Sequence, residues 1–346
     1  MVFRFQIADL LKGIAVLFMI QVHIVELFGD TAFYTSYFGK IFLFIGGPPV
    51  APLFALLFGY FIARSHKTFI QLLIRGLKII GLGMLLNIAL NFNLILSVYK
   101  GLIEVDLWPY IFGIDILQFA GFSLIIIAFL KNLLQKSLVF TVFCIFIVAI
   151  LGQLLLDFIP ENIVLKFISA LFYGSTPWSY FPVFPWLSYP FAGIAFYSIQ
   201  KRYDLSVLSK PKFILLITLL FLGFMALTIN YAISISSNLP LYYHHSLIFM
   251  FWVILFLALY SLLINEVNKL IGDSFLFKYL KWLGENVTLI YVIQWIIIGN
   301  LATNIYKTIS NPLTLLYYFM GILIFSSGVG YFILKIKSKI LDKKII

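Results

Sequence analysis

"LLKGIAVLFMIQVHIVELFGD", Leu10 to Asp30, is the stretch whose reading decides the fold. Its apolar run matches the ~20 residues that a helix needs to cross a bilayer. It nevertheless carries Gln21, His23 and Glu26, groups that hydrocarbon disfavours by a few kcal/mol each. Asp9 and Lys12 stand three residues apart at its start, the spacing of a local helical ion pair. From Lys12 to His23 is about 16 Å at ~1.5 Å per residue, which takes His23 past the midplane. His23 and Glu26 are again three apart on one face, so the carboxylate is expected to fix the imidazole tautomer and raise its basicity. Two roles stay open for this histidine: a hydrogen bond between helices, or a base at a reaction site.

The rest of the chain is of the same kind. Its 346 residues are 63% hydrophobic and 11% charged, with a mean hydropathy of +1.07. A soluble domain is nearer half apolar and a quarter charged, so the expected class is an all-α, polytopic integral membrane protein. No polar stretch is long enough to fold alone, and residues 1–346 are read as a single transmembrane domain. The first span has the length of a full crossing and lacks a small-residue cleavage site, unlike a removable leader. A single cysteine, Cys144, excludes an intrachain disulfide. The net charge of +11 is read as cytoplasmic loop charge and not as a nucleic-acid surface.

Apolar runs of spanning length are expected at 7–28, 38–62, 77–98, 110–130, 138–156, 182–199, 213–235, 246–264, 284–305 and 312–334. Ten crossings put both termini on one side. Of the 24 lysines and arginines, only Lys40, Lys100, Lys166 and Lys307 then fall in outer segments. The others, from Arg4 to Lys343 and Lys344, fall inside, so both termini are expected to be cytoplasmic. An eleventh crossing at 163–173 is the alternative. It would put the carboxyl-terminal lysines outside.

Polar groups gather on few spans. Besides the first, these are the third (Asn87, Asn91, Asn93), the fourth (Asp115, Gln118) and the ninth (Glu285, Asn286, Gln294). Such clustering points to one shared interior site. In the second span, "GGPPVAP", Gly46 to Pro52, cannot continue an unbroken helix. Broken backbone at membrane depth is tolerated where it is buried in protein or lines a cavity, and this break is expected at the level of His23. "ARSHKTFIQLLIRGLK" follows with Arg64, His66, Lys67, Arg75 and Lys78, a basic cluster that reads as a topology anchor or a phosphate-binding mouth. Trp186 opens the sixth span among three prolines, Pro182, Pro185 and Pro190. His244 and His245 fall in an outer loop without the further donors a metal needs, and no metal is expected.

In this order the segments resemble the transmembrane acyltransferases. "RFQIADLLKGIAVLFMIQVHI" is similar to their opening, an arginine, Asp-x-x-(Arg/Lys)-Gly and a histidine closing the first span. "VAPLFALLFGYFIARS" is similar to their second span. "FGIDILQFAG", "FPWLSYPFAGIAF" and "LGENVTLIYVIQW" resemble blocks of the heparan-α-glucosaminide N-acetyltransferase-like branch, related to the acyltransferase-3 proteins. Lys12 stands where arginine is more usual, and Gln294 where a histidine is common.

The resemblance implies an enzyme that takes an acyl group, commonly acetyl, from cytoplasmic acyl-CoA and delivers it to a sugar hydroxyl or amine outside. His23 holds the position of the family's histidine, implying a general base or an acyl relay, with Glu26 or Asp115 orienting its ring. Lys12, Arg64, Arg75 and Lys78 are the expected partners of the coenzyme phosphates. Asn87, Asn91 and Gln118 are expected as oxyanion donors, and Gln21, Trp186 and Gln294 beside the acceptor. The partners are then the lipid bilayer, acyl-CoA and a carbohydrate or glycolipid acceptor, with homodimerisation left open. The expected location is a bacterial cytoplasmic membrane. The rivals are a proton-coupled transporter that uses the same residues and a catalytically inactive relative.

Overall fold

The computed structural model describes residues 7–174 and 176–342; Arg4, Lys343 and Lys344 lie outside the described residues. The helices in chain order are α1 (Ile7–Phe28), α2 (Thr31–Thr35), α3 (Tyr37–Gly46), α4 (Ala51–Arg64), α5 (Phe69–Leu90) and α6 (Phe92–Tyr99). Then come α7 (Trp108–Ile111), α8 (Ile116–Lys136), α9 (Leu138–Leu154), α10 (Ile163–Phe172), α11 (Val183–Trp186) and α12 (Ser188–Arg202). The last are α13 (Pro211–Ser236), α14 (Leu239–Tyr243), α15 (Leu247–Ile271), α16 (Phe275–Glu285), α17 (Val287–Ile305) and α18 (Pro312–Asp342). Among the described residues the only β-type pairings are two isolated bridges, Gly29 with Ile309 and Ile114 with Ser179.

Eight helical segments among the described residues are long and apolar enough to cross a membrane, the α3–α4 pair counting as one. α13 shows why the solvent must be lipid. Its mean hydropathy reaches 2.4, yet only 6% of that window is buried in the protein. An all-apolar surface left uncovered on such a helix is stable only against hydrocarbon. α9 and α12, at 17 and 15 residues, are the two shorter helices at expected crossings. α10, at 10 residues, reaches only about 15 Å along its axis, short of the ~30 Å core.

Several boundaries correct the sequence expectation. The third apolar helix begins at Phe69 and not at 77, because Thr68 and Gln71 form a capping box. The Gln71 side chain accepts from the Thr68 amide at 3.1 Å, and the Thr68 hydroxyl accepts from Gln71 at 3.4 Å. Arg75 and Lys78 therefore sit within α5, both exposed, and not in a loop. The fourth begins at Ile116 and not at 110, capped by Asp115. Helix also continues where a cytoplasmic connection was expected: α16 ends at Glu285, and Asn286 separates it from α17.

The chain divides into two compact units. One is drawn from Met1–Gly46, Ala89–Glu104 and Ile271–Ile346, the other from Gly47–Ile88 and Val105–Leu270. In the first, α1 is the central element, packed by α3, α16, α17 and α18. Its crossing with α16 is at backbone contact, since a Cβ on Gly13 would strike the Leu280 carbonyl and one on Gly284 the Asp9 carbonyl. In the second unit, α12 is the central element, packed by α4, α9 and α8.

Candidate active site

In the first unit the imidazole of His23 is half-buried between α1 and α17. Its Nδ1 lies 3.1 Å from the amide nitrogen and 3.3 Å from the amide oxygen of Gln294. The ring also stacks on Trp295, with centroids 3.9 Å apart and planes 23° from parallel. Gln294 is wholly buried, and its Nε2 also reaches the Tyr291 carbonyl at 3.3 Å. With the Gln294 oxygen accepting, the ring is the Nδ1–H tautomer and its Nε2 lone pair is open to an incoming proton, the form a general base needs; with the Gln294 nitrogen donating, Nδ1 accepts instead. Where the sequence suggested Glu26 as the ring's orienting partner, Gln294 and Trp295 hold it. Glu26 lies one turn further along α1 and faces Tyr34 of α2.

Other expected members of the first unit fall in three places. Lys12 pairs with Asp9 at 2.8 Å, as the spacing predicts, near the opposite end of α1. Gln21 is two residues from His23, hence about 200° around the helix on another face. Both its amide atoms are buried without a hydrogen-bond partner among the described residues. Asn91 marks the break between α5 and α6, next to an asparagine clamp. Asn300 accepts from the Asn93 amide at 2.8 Å and donates to the Ala89 carbonyl at 2.8 Å, satisfying backbone that the break opens. α3 ends at Gly46, where any Cβ would run into the Val22 side chain, one residue from His23. The break in the second apolar segment thus starts at the expected level.

The remaining candidates belong to the second unit and mostly carry structural bonds. Asp115 is the N-cap of α8, not a helix-interior carboxylate. It accepts from Ile116 at 2.7 Å, while Gln118 accepts from the Asp115 amide at 3.3 Å. The Asp-x-x-Gln pattern is a capping box, a local signal that the polar count alone had passed over. Asn87 donates to the carbonyls of Ile111 and Gly113 at 3.0 and 2.9 Å. Trp186 is fully buried and donates to the Tyr243 carbonyl at 2.7 Å. Arg64 is half-buried, and His66 and Lys67 beside it are exposed. Lys131 bonds the carbonyls of Ser65 and Lys67 at 2.8 and 3.1 Å, fixing the link after α4.

The two outer-loop histidines are not simply interfacial. His245 is buried, with Nδ1 on the Tyr242 carbonyl at 2.8 Å and Nε2 2.8 Å from the Tyr189 hydroxyl. Nδ1 can only donate to that carbonyl, so Nε2 accepts from Tyr189 and the ring is neutral. Burial lowers His245 to about 4, against the raising effect of its bond to Tyr242. Burial lowers His244 to about 4 as well.

An all-α set of helices whose uncovered apolar surfaces require lipid defines a polytopic membrane protein. A family model described as heparan-alpha-glucosaminide N-acetyltransferase, catalytic, matches residues 4–236. The chain belongs to that family and is a membrane acetyltransferase of its type. No curated protein and no solved structure matches it. The matched region includes His23 and stops before Gln294 and Trp295, the two side chains that hold the ring. Trp295 was the residue that sequence reasoning missed, although it directly follows Gln294. Nothing in the family match supports the transport alternative.

Proposed function

We propose that His23 is the general base that moves an acetyl group from acetyl-CoA to a hydroxyl or amine of a sugar or glycan. The observation that carries this reading is the double hold on the imidazole, by Gln294 at Nδ1 and by the face of Trp295. This imidazole has its Nδ1 engaged and its plane fixed, and among the described residues no hydrogen-bond partner stands at Nε2.

The acceptor's hydroxyl or amine attacks the thioester carbonyl as His23 Nε2 takes its proton. The carbon–sulfur bond breaks, and the departing thiolate receives that proton from the imidazolium. Atoms and charge balance without a metal or redox partner. The stacked indole favours the transient imidazolium through its π face. In the variant of this scheme, Nε2 itself takes the acetyl group and relays it. Lys12, Arg64, Arg75 and Lys78 remain the proposed partners of the coenzyme phosphates, Arg being suited to bidentate contact. The proposed setting is ten crossings in a bacterial cytoplasmic membrane, with both termini and the coenzyme inside and the acceptor outside. Charge alternation along the loops supports that orientation.

The test is thiol release from acetyl-CoA by purified protein, with a panel of glycan acceptors. Acceptor-dependent release that is lost in His23→Asn supports the reading. Full release by a folded His23→Asn protein overturns it.

A further inference from the structure

A groove of about 360 Å³ runs between α17 and α18, against Ile297 of α17 and along α18 from Thr314 past Gly321 to Phe325. Its α18 residues recur every three or four positions, so they share one face of that helix. Ile322 is buried beneath it, Tyr317 and Phe325 beside it are exposed, and a Cβ built on Gly321 meets nothing within 4 Å. The walls are apolar apart from the Thr314 and tyrosine hydroxyls. From Thr314 to Phe325 is about 16 Å at ~1.5 Å per residue. Half of a ~30 Å hydrocarbon core is about 15 Å, so the groove has the length of one leaflet.

The head of the groove is set against the carboxyl end of α1. Tyr318, which also lines it, packs edge-on to Phe28 with ring centroids 5.2 Å apart. The link between α17 and α18 is tied to the same two residues of α1. The Lys307 amide donates to the Leu27 carbonyl and the Ile309 amide to the Phe28 carbonyl, both at 2.9 Å. Lys307 holds φ +53°, and its ammonium lies 5.8 Å from the centroid of the Tyr34 ring and 5.3 Å from that of Tyr306. Lys307 and Tyr306 are exposed, and among the described residues no carboxylate stands within ion-pair distance of the ammonium, unlike those of Lys12 and Lys269. Tyrosines around a lysine at the end of a spanning helix belong to the headgroup layer.

We propose that the groove and Lys307 form a binding site for one anionic phospholipid of the leaflet on that side. An acyl chain lies along α18 over the open space at Gly321, and the headgroup phosphate meets the Lys307 ammonium. The length of the groove fits the chain, and the uncompensated charge at its head complements the phosphate. A helix from a second copy would instead follow α18 beyond Phe325, where Tyr331 and Phe332 stand exposed. The bound lipid joins α18 and the α17–α18 link to the end of α1, and so stabilises the first unit. The site does not depend on the acetyl-transfer reading.

The test is native mass spectrometry of the purified full chain, stripped of lipid in neutral detergent. The probes are phosphatidylglycerol and phosphatidylcholine with identical acyl chains. A single phosphatidylglycerol per chain is expected to stay bound, with an affinity about fivefold above that of phosphatidylcholine, the effect of one lysine at a lipid surface. Phosphatidylglycerol should also raise the thermal midpoint of the parent in detergent, and less so at high salt. Gly321→Leu fills the groove where nothing stands in its way, so the fold is kept while retention of both lipids and the thermal shift are lost. Lys307→Gly, which suits the positive φ, should remove the preference for phosphatidylglycerol and leave phosphatidylcholine binding unchanged. Undiminished retention by folded Gly321→Leu, a preference that survives Lys307→Gly, or equal binding of the two lipids by the parent overturns the site. A dimeric parent that becomes monomeric in Gly321→Leu would give the groove to a second copy and overturn it too.

Discussion

His23 and Trp295 lie face to face, ring centroids 3.9 Å apart, so the imidazole on α1 is held by an indole on α17. This stack joins a residue inside the family-matched region to one outside it. It also separates two features of one tryptophan, its face and its N–H, because the indole Nε1 is buried without a hydrogen-bond partner among the described residues.

Trp295→Phe keeps an aromatic face and deletes an N–H that bonds nothing, so kcat should stay within about 2-fold. Trp295→Leu removes the stack, worth about 0.5–1.5 kcal/mol, and kcat should fall roughly 3- to 10-fold with KM for acetyl-CoA unchanged. Equal losses in both variants would show that the N–H, and not the face, matters.

Gln294 tests the tautomer. Gln294→Leu leaves Nδ1 without its buried partner, at a cost of about 1–3 kcal/mol, or ~5- to 150-fold in kcat. Gln294→His, which can still accept from Nδ1–H, should recover part of that loss. Steady-state kinetics of the two variants decide it, and an undiminished Gln294→Leu would rule out the orienting role.

The amide of Gln21 is buried and unbonded, which costs about 1–3 kcal/mol in the folded protein. Gln21→Met, close in shape, should therefore raise the thermal midpoint in detergent and leave acetyl transfer intact. A stable Gln21→Met protein with lost activity would instead give this amide an acceptor to bind.

His245 sets an acid limit on stability. Its pKa lies at about 4 in the folded chain, lowered chiefly by burial, against ~6.5 unfolded. The unfolded state thus binds the extra proton between these values. Stability from the neutral ring is complete above pH ~6.5 and drains away as pH falls toward 4, by up to roughly 3 kcal/mol. Thermal midpoints between pH 7 and 4 should fall less steeply in His245→Gln than in the parent. Parallel curves would refute the assignment.

The membrane class and most helices were legible in the sequence because a bilayer demands long apolar runs, and Gly46 to Pro52 announced their own break. His23 stood out in the sequence because an imidazole within a long apolar run needs a reason. Its partners were not. Gln294 stands 271 residues away, and only the packing of α17 on α1 brings it to Nδ1. Asp115 and Gln118 show the opposite case. Counting polar residues along a span cannot tell a capping box from a reaction site, and the Asp-x-x-Gln spacing carried that information locally. The Thr68–Gln71 box was legible in the same way and moved Arg75 and Lys78 into α5.

His23 is proposed to carry the acetyl transfer. The most direct measurement is single-turnover release of thiol from acetyl-CoA, with a competent glycan acceptor, by the parent protein and a folded His23→Asn variant. The expected rate is at least ~100-fold lower in the variant, the usual contribution of a positioned base. Equal rates in the two proteins would contradict it.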